Sequence, residues 1–327
     1  MTYHSTTPSG ISSNVGPFLQ RRSIECYPHL VPGYNNDYSY QPHLVPGIVF
    51  CVAFGLALIG HFVQFARLRR WTSVLFAIGA FSKYNYLFTY KDVSLDFLQK
   101  TNTFLFTAES IGWAGRTWSA KCPYNHDAFL MQITTLIIAP TFFAAGLYVT
   151  LGRLIRLLGP QTSLISPKIY LLIFCACDII SLILQAVGGG LASVASGKVD
   201  GSTKPGTLLM VGGIAFQLGT MTFFLLLVLD FLRRTRKSAL SINYKKVLLA
   251  LSISFTMIYI RSIYRTIELA QGWAGYLITH EGYFLGLDAS IMAIAVCVFL
   301  VFDPATLLPK EAVATRTSSE VDKIASV

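Results

Sequence analysis

Apolar stretches of about 20 residues recur along most of this chain, and short polar or basic links separate them. A helix of this length spans the hydrocarbon core of a bilayer. Lipid admits only helices and closed barrels, because every backbone polar group must be bonded internally. Charged residues make up 13% of the chain, against about 25% in soluble domains. We therefore predict an all-α membrane protein.

Seven such segments can be read in the sequence. They cover approximately residues 46–66, 71–118, 129–151, 169–191, 207–232, 247–270 and 283–302. The second segment is irregular, because charged residues between Lys83 and Lys100 divide it into two apolar parts. The prediction is a bundle of seven transmembrane helices.

Basic residues mark alternate links between the segments and predict the orientation of the bundle. They concentrate in 67–70, 153–168 and 233–246, and few lie on the opposite side. Cytoplasmic links carry the excess of Lys and Arg, so we expect the N-terminus outside and the C-terminus in the cytoplasm. The predicted parts are an extracytoplasmic segment at 1–43, a seven-helix transmembrane domain at 44–304 and a disordered cytoplasmic tail at 305–327.

Several common functions find no support in the residue pattern. The net charge of +10 does not indicate nucleic-acid binding, because the basic residues flank apolar segments in short runs. Gly188-Gly-Gly190 lacks the Lys-Ser/Thr of a phosphate loop, and no cysteine pair has CxxC spacing. We expect no cofactor, metal or nucleic-acid partner. Cys26 and Cys122 both fall on the outer side of the predicted topology, so they either form a disulfide or stay free.

Ionisable and amide side chains lie inside the apolar segments, where an unpaired charge is costly. Two explanations are open: interhelical hydrogen bonds that hold the bundle together, or a cavity that binds a ligand. Asp178, Ser181 and Gln185 share one helix face by their spacing. The number of charges favours the cavity, because so many are hard to justify for stability alone. The candidate ligand-binding residues are Glu109, Arg116, Asp178, Gln185, Arg261, Arg265, Glu268 and Asp288.

The depth of these residues indicates the kind of ligand. Counted from the basic ends, Glu109 and Asp178 lie near mid-membrane, and the residues from Gln185 onward lie in the outer half. A cavity of mixed charge that opens to the outer leaflet suits an amphipathic molecule with a polar or ionised head. Membrane lipids and such a small molecule are the expected partners.

The motifs resemble those of the fungal lipid-translocating exporter family, seven-helix proteins named for resistance to aminocholesterol. Glu109-Ser-Ile-Gly-Trp-Ala-Gly-Arg116 is similar to E-x-x-G-Y-x-x-R, with Trp113 in place of Tyr. Asp303 stands where a His is usual. Further matching blocks run over 132–153, 174–190 and 261–268, with Glu281 and Asp288. The resemblance implies lipid translocation at the plasma membrane and adds Gln132 to the ligand-binding candidates.

The resemblance also bears on the irregular second segment. Family members run directly from its first half into the motif that begins at Glu109. Removing 82–108 would join the two halves, and the ends of this peptide can be back-translated to fungal splice signals. We favour a retained intron over an inserted loop.

The leading functional prediction is therefore translocation or export of amphipathic lipids of the sphingoid-base or sterol-like kind, which confers resistance to toxic lipids. Two alternatives stay open. One is a seven-helix lipid receptor or sensor, although the third segment ends in Leu151-Gly-Arg153 and not in D-R-Y. The other is an intramembrane enzyme of a biosynthetic cluster. No nucleophile, metal or cofactor motif supports catalysis, so we predict that the chain is not an enzyme.

Overall fold

A computed structural model describes residues 26, 38, 40–67, 93–159, 163, 166–196, 201–235, 241–273, 275–302 and 304–308. Every regular element in these ranges is helical. The prediction of an all-α protein is confirmed for this part of the chain.

Apart from the second segment, whose first part lies outside the described residues, the helices follow the predicted apolar segments closely. They are α1 (Leu44–Arg67), α2 (Val93–Lys121), α3 (His126–Leu158), α4 (Pro167–Ser196), α5 (Lys204–Thr235), α6 (Ile242–Ala270), α7 (Glu281–Phe284), a π-helical turn (Leu285–Ser290), α8 (Ile291–Val301) and α9 (Pro304–Leu307). The elements from α7 to α8 are continuous and form one rod, which we call rod 281–301. Local caps set some ends: the Asn125 side chain accepts the Ala128 amide at 3.0 Å, and Gly159 ends α3 at a positive φ of 99°.

Within the described ranges, five helical stretches are long and apolar enough to cross a membrane. They are His126–Leu158, Ile169–Ala195, Lys204–Thr235, Ile242–Ala270 and Glu281–Phe299. α1 adds a shorter apolar stretch, Leu44–Gly60. α2 has 29 residues, a length that would also span the core, but it begins with a more polar sequence.

The irregular second segment is described only in its later part. Residues 71–92 lie outside the described residues, whereas 93–108 are helical and continue into the Glu109 motif. Leu105 and Phe106 of this stretch are fully buried in the core. The part of 82–108 that is described therefore forms the first half of α2.

Glycine allows two helix pairs to pack at very short range. A Cβ on Gly188 of α4 would lie 2.5 Å from the Met210 amide of α5, and one on Gly112 of α2 would lie 2.7 Å from Leu136 of α3. Such small-residue contacts are typical of helix association in lipid. Within the Gly188-Gly-Gly190 run, Gly188 makes such a close contact, whereas Gly190 has open space around it.

The two ends of the bundle can be told apart by their contacts. At one end, which we call the disulfide end, Cys26 is bonded to Cys122 after α2, and His126 contacts Ser193 near the end of α4 at 3.0 Å. At the other, the tail end, buried Arg153 donates to the Pro304 carbonyl oxygen at 3.3 Å. The tail predicted to be disordered thus starts with an anchored helical turn, and 309–327 lie outside the described residues.

Candidate ligand site

Two arginines and two carboxylates form a buried network between α6 and rod 281–301. We call Arg261, Arg265, Glu268 and Asp288 the quartet. Arg265 donates to Glu268 Oε2 and to Asp288 Oδ2, each at 2.9 Å. Arg261 makes an ion pair with Asp288 through Nε and donates from Nη2 to the Leu136 carbonyl oxygen of α3 at 2.8 Å. Because the α6 members are three or four residues apart, they share one face of that helix.

The π-helical turn presents Asp288 to both arginines. The turn covers Leu285–Ser290 and has the wider winding of a π-helix. At its end, the Ser290 hydroxyl donates to the Leu285 carbonyl oxygen, five residues earlier, at 2.8 Å. π-Turns inside α-helices occur frequently at functional sites. Tyr264 completes the network by donating its hydroxyl to Glu268 Oε1 at 2.9 Å. Asp288 and Glu268 are each 2% exposed, so the network is shielded from solvent.

Glu109 of α2 faces this quartet but is not bonded into it. Its carboxyl is 2% exposed and interacts electrostatically with Arg261, Asp288 and Arg265. Glu109 Oε1 and the Trp113 indole nitrogen lack an aligned hydrogen-bond partner among the described residues, although the indole is close enough to influence the carboxyl. Glu109 is thus a buried acid whose hydrogen bonding is incomplete.

A second ion pair lies nearer the disulfide end. Buried Arg116 donates to Glu281 Oε1 at 2.5 Å and to the Tyr40 hydroxyl at 3.0 Å. His43 also contacts Glu281, through its backbone amide at 3.2 Å and through its ring. Burial raises the pKa of Tyr40, against the opposing effect of Arg116, so this phenol stays neutral at physiological pH.

Phe284 connects this outer pair to the quartet. The Arg116 guanidinium lies 4.7 Å from the centre of its ring, and the Arg265 guanidinium lies 5.4 Å from the same centre. Both distances are within the range of cation–π attraction. The aromatic face therefore already attracts cations at the boundary between the two charged layers.

The residues before α1 cover the outer pair. The Tyr38 hydroxyl donates to Gln132 Oε1 at 2.7 Å and contacts the Ser119 hydroxyl at 2.9 Å. Together with the bonds of Tyr40 and His43, these bonds hold the described residues just before α1 against α2, α3 and rod 281–301, and the disulfide ties Cys26 to Cys122. Gln132, predicted to bind ligand, has its side-chain oxygen occupied by this segment.

Gln185 belongs to a separate network between α4 and its neighbours. Its amide donates to the Ser181 hydroxyl at 2.7 Å and to Gln217 Oε1 at 3.1 Å. Ser181 in turn donates to the Gly213 carbonyl oxygen at 2.7 Å, and Gln217 donates to the Thr141 hydroxyl at 3.2 Å. These bonds correspond to the interhelical explanation. Among the described residues they do not connect Gln185 to the quartet.

Asp178 is also separate from the quartet, and it lies farther from the disulfide end than Gln185 does on the same helix. It precedes the end of α4 at Ser196 by 18 residues, or about 27 Å at 1.5 Å per residue. Both of its carboxyl oxygens lack an aligned hydrogen-bond partner among the described residues, although the Tyr148 hydroxyl and the Cys175 thiol are close enough to interact with the carboxyl group. The Tyr148 ring packs against Phe174 and Phe224, with centroid distances of 5.3 Å and 4.6 Å.

Sequence reasoning gave no role to the residues before α1. The structure places Tyr38, Tyr40 and His43 on the predicted ligand site. Tyr38 donates to Gln132 and Tyr40 accepts from Arg116. Glu281 is the common partner of Arg116 and His43. The sequence before α1 gave little indication of these contacts, because the segment is polar and contains no predicted transmembrane helix. Arg153 was noted only as part of a motif, and its carbonyl contacts at the tail end are visible only in three dimensions.

These features define a multi-pass helical membrane protein with a charged layer buried between its helices. The family model described as RTA1 like protein matches residues 104–311. The chain belongs to this family.

Several relatives come from Saccharomyces cerevisiae. Sphingoid long-chain base transporter RSB1 is 33% identical over 319 residues, which cover 85% of this chain and 76% of the relative. Protoporphyrin uptake protein 1 is 31% identical over 279 residues, covering 81% and 90%. Protein RTA1 is 29% identical over 280 residues, covering 82% and 84%. No solved structure matches the chain significantly.

Proposed function

We propose that this protein moves amphipathic lipids with a cationic head, such as sphingoid bases, across or out of the plasma membrane. The observation that carries the proposal is Glu109, a buried carboxyl that faces a quartet in which the charges are already paired. A head group with a positive charge would find an acceptor there. The name of the RSB1 relative indicates the same substrate class.

The chemistry of the head group fits this arrangement. A primary ammonium donates up to three hydrogen bonds, and Glu109 Oε1 has a free acceptor position. Phe284 adds an aromatic face beside the quartet. We infer that the apolar tail of the lipid lies between helices or in the surrounding bilayer.

The same charge balance argues against an anionic substrate. Protoporphyrin carries carboxylates, which would need unpaired cations. Arg261 and Arg265 are both ion-paired with Asp288, and Arg116 is ion-paired with Glu281. We therefore propose a base, and not a porphyrin, as the substrate of this chain.

We infer the route of the lipid from the different side chains that fill the two halves of the bundle. The quartet and the Arg116–Glu281 pair lie toward the disulfide end, whereas aromatic side chains such as Phe224 and Phe255, 5.2 Å apart, fill the interior beyond them. With seven spans and the N-terminus outside, the charged layer would be reached from the outer leaflet. Tags fused to the two ends should then report opposite sides of the membrane, and a shared side would contradict this topology.

The decisive experiment is flux of labelled sphinganine in vesicles that contain the purified protein. Loss of a charge-assisted hydrogen bond costs about 1.5–3 kcal/mol, so Glu109→Gln should reduce flux by roughly tenfold or more. Asp230→Asn is the matched control, because it makes the same chemical change at a partly exposed carboxylate that is paired with Arg234 at the surface. Wild-type flux no faster than that of empty vesicles would refute the proposal.

A further inference from the structure

The charged layer around Glu109 contains one more acid than base. Arg261 and Arg265 supply two positive charges, while Glu268, Asp288 and Glu109 supply three carboxyls. Arg116 does not correct the difference, because Glu281 balances it. All five groups are nearly inaccessible to solvent. A net charge in such a setting is costly, so one monovalent cation has to accompany the layer.

The position of that cation follows from the hydrogen bonds. Asp288 and Glu268 each accept bonds from arginine, whereas one oxygen of Glu109 has no aligned partner. The groups that act on Glu109 are Arg261 and Arg265 from α6, Asp288 from the π-helical turn and the Trp113 indole from its own helix. Burial away from solvent opposes the negative charge of Glu109 most strongly; the two arginines and the indole favour that charge, and Asp288 also opposes it.

A metal ion is a poor fit for this position. Within the described residues, no three His, Cys, Asp or Glu side chains group as metal ligands do. Among the groups that act on Glu109, the guanidinium groups and the indole N–H donate hydrogen bonds and cannot coordinate a cation. The remaining neighbour, the Asp288 carboxylate, is already ion-paired with Arg261 and Arg265. A proton needs only the free oxygen of the carboxyl.

We propose that Glu109 holds a proton in the ligand-free protein and releases it to solvent when a cationic head group binds. The proton leaves the carboxyl oxygen, and the ammonium takes its place, so the layer stays neutral in both states. Binding of the base is thereby coupled to one proton. This inference rests on the proposed function, and it adds an exchange of cations that a simple lipid pathway would not require.

The test is calorimetric binding to the purified protein at neutral pH, in two buffers of different ionisation enthalpy. The probes are sphinganine and N,N,N-trimethylsphingosine, whose quaternary ammonium has no exchangeable proton. About one proton should be released per bound probe, falling to none at alkaline pH, where Glu109 is already ionised. Uncharged N-acetylsphinganine should release none.

Two variants separate Glu109 from the remaining groups. Glu109→Asp keeps an acid and should still release a proton, whereas Glu109→Gln should bind more weakly and release none. Both must be monodisperse. If Glu109→Gln fails to fold, the pH dependence of proton release is compared between the wild type and Glu109→Asp, and this comparison tests whether residue 109 is the source of the proton. Binding by the wild type without proton release would overturn this inference and leave the proposed function standing. If neither sphinganine nor N,N,N-trimethylsphingosine binds, both this inference and the proposed function are refuted.

Discussion

Asp288 and Glu109 should compensate for each other, and a double-mutant cycle can measure this. Asp288 is ion-paired with Arg261 and Arg265. Asp288→Asn leaves Glu268 as the one ionised carboxyl of the quartet, opposite two guanidinium groups. Glu109 can then ionise and restore neutrality. When Glu109 is replaced by Gln as well, no acid is left to do so.

The structure sets the expected magnitudes. Glu109→Gln exchanges a neutral acid for a neutral amide of similar size and should cost about 0.5–1.5 kcal/mol of unfolding free energy. Asp288→Asn removes charge-assisted hydrogen bonds, worth about 1.5–3 kcal/mol, partly offset by ionisation of Glu109. The double variant leaves a buried positive charge uncompensated, which costs about 3–5 kcal/mol. We therefore expect a coupling energy of about 1–3 kcal/mol between the two sites.

The assay is unfolding of the purified protein in mixed micelles with increasing SDS, followed by tryptophan fluorescence. Unfolding free energies of the wild type, both single variants and the double variant give the coupling energy. Asp230→Asn combined with Glu109→Gln is the control pair and should be additive to within about 0.5 kcal/mol. Additivity of the Asp288 and Glu109 variants within the same margin would show that Glu109 does not compensate, and would refute the charge argument.

Three further predictions concern the scaffold. Gly188→Ala should destabilise by about 1–3 kcal/mol because its Cβ would meet the α5 backbone, whereas Gly189→Ala, whose Cβ meets only a flexible sulfur at 3.6 Å, should be nearly neutral in a thermal melt. Cys122→Ser should cost about 2–4 kcal/mol by removing the bridge to Cys26, and an equal loss from serine at the free, exposed Cys297 would contradict this. Transcript reads should skip the codons for 82–108, and uniform coverage would establish an inserted segment.

The retained-intron hypothesis has a structural consequence. Residues 93–108 form half of α2, with Leu105 and Phe106 in the core. If the peptide were absent, the apolar half-segment before residue 82 would have to take that place and bury its own side chains there. A chain lacking 82–108 should therefore reach the membrane and melt at a temperature no lower than the full chain.

The length and spacing of the apolar stretches were sufficient to predict much of the helical architecture. In lipid every backbone polar group must be hydrogen-bonded within the protein, so an apolar stretch of helical length such as 247–270 was predicted to be a helix. The helix α6 covers this stretch. The membrane class, the family motifs and the i, i+3, i+7 face of Asp178 were also readable, because each depends on residues that are near one another in sequence.

Only the tertiary structure decided which polar residues meet. The sequence grouped Gln185 with Arg265, Glu268 and Asp288. In the structure α4 and α5 approach closely at Gly188, and Gln185 donates its hydrogen bonds to Ser181 and Gln217 instead. The pairing of Arg116 with Glu281 joins residues 165 positions apart, and no local pattern encodes that distance. Sequence periodicity determines which face of a helix is polar, whereas helix packing determines which other face it contacts.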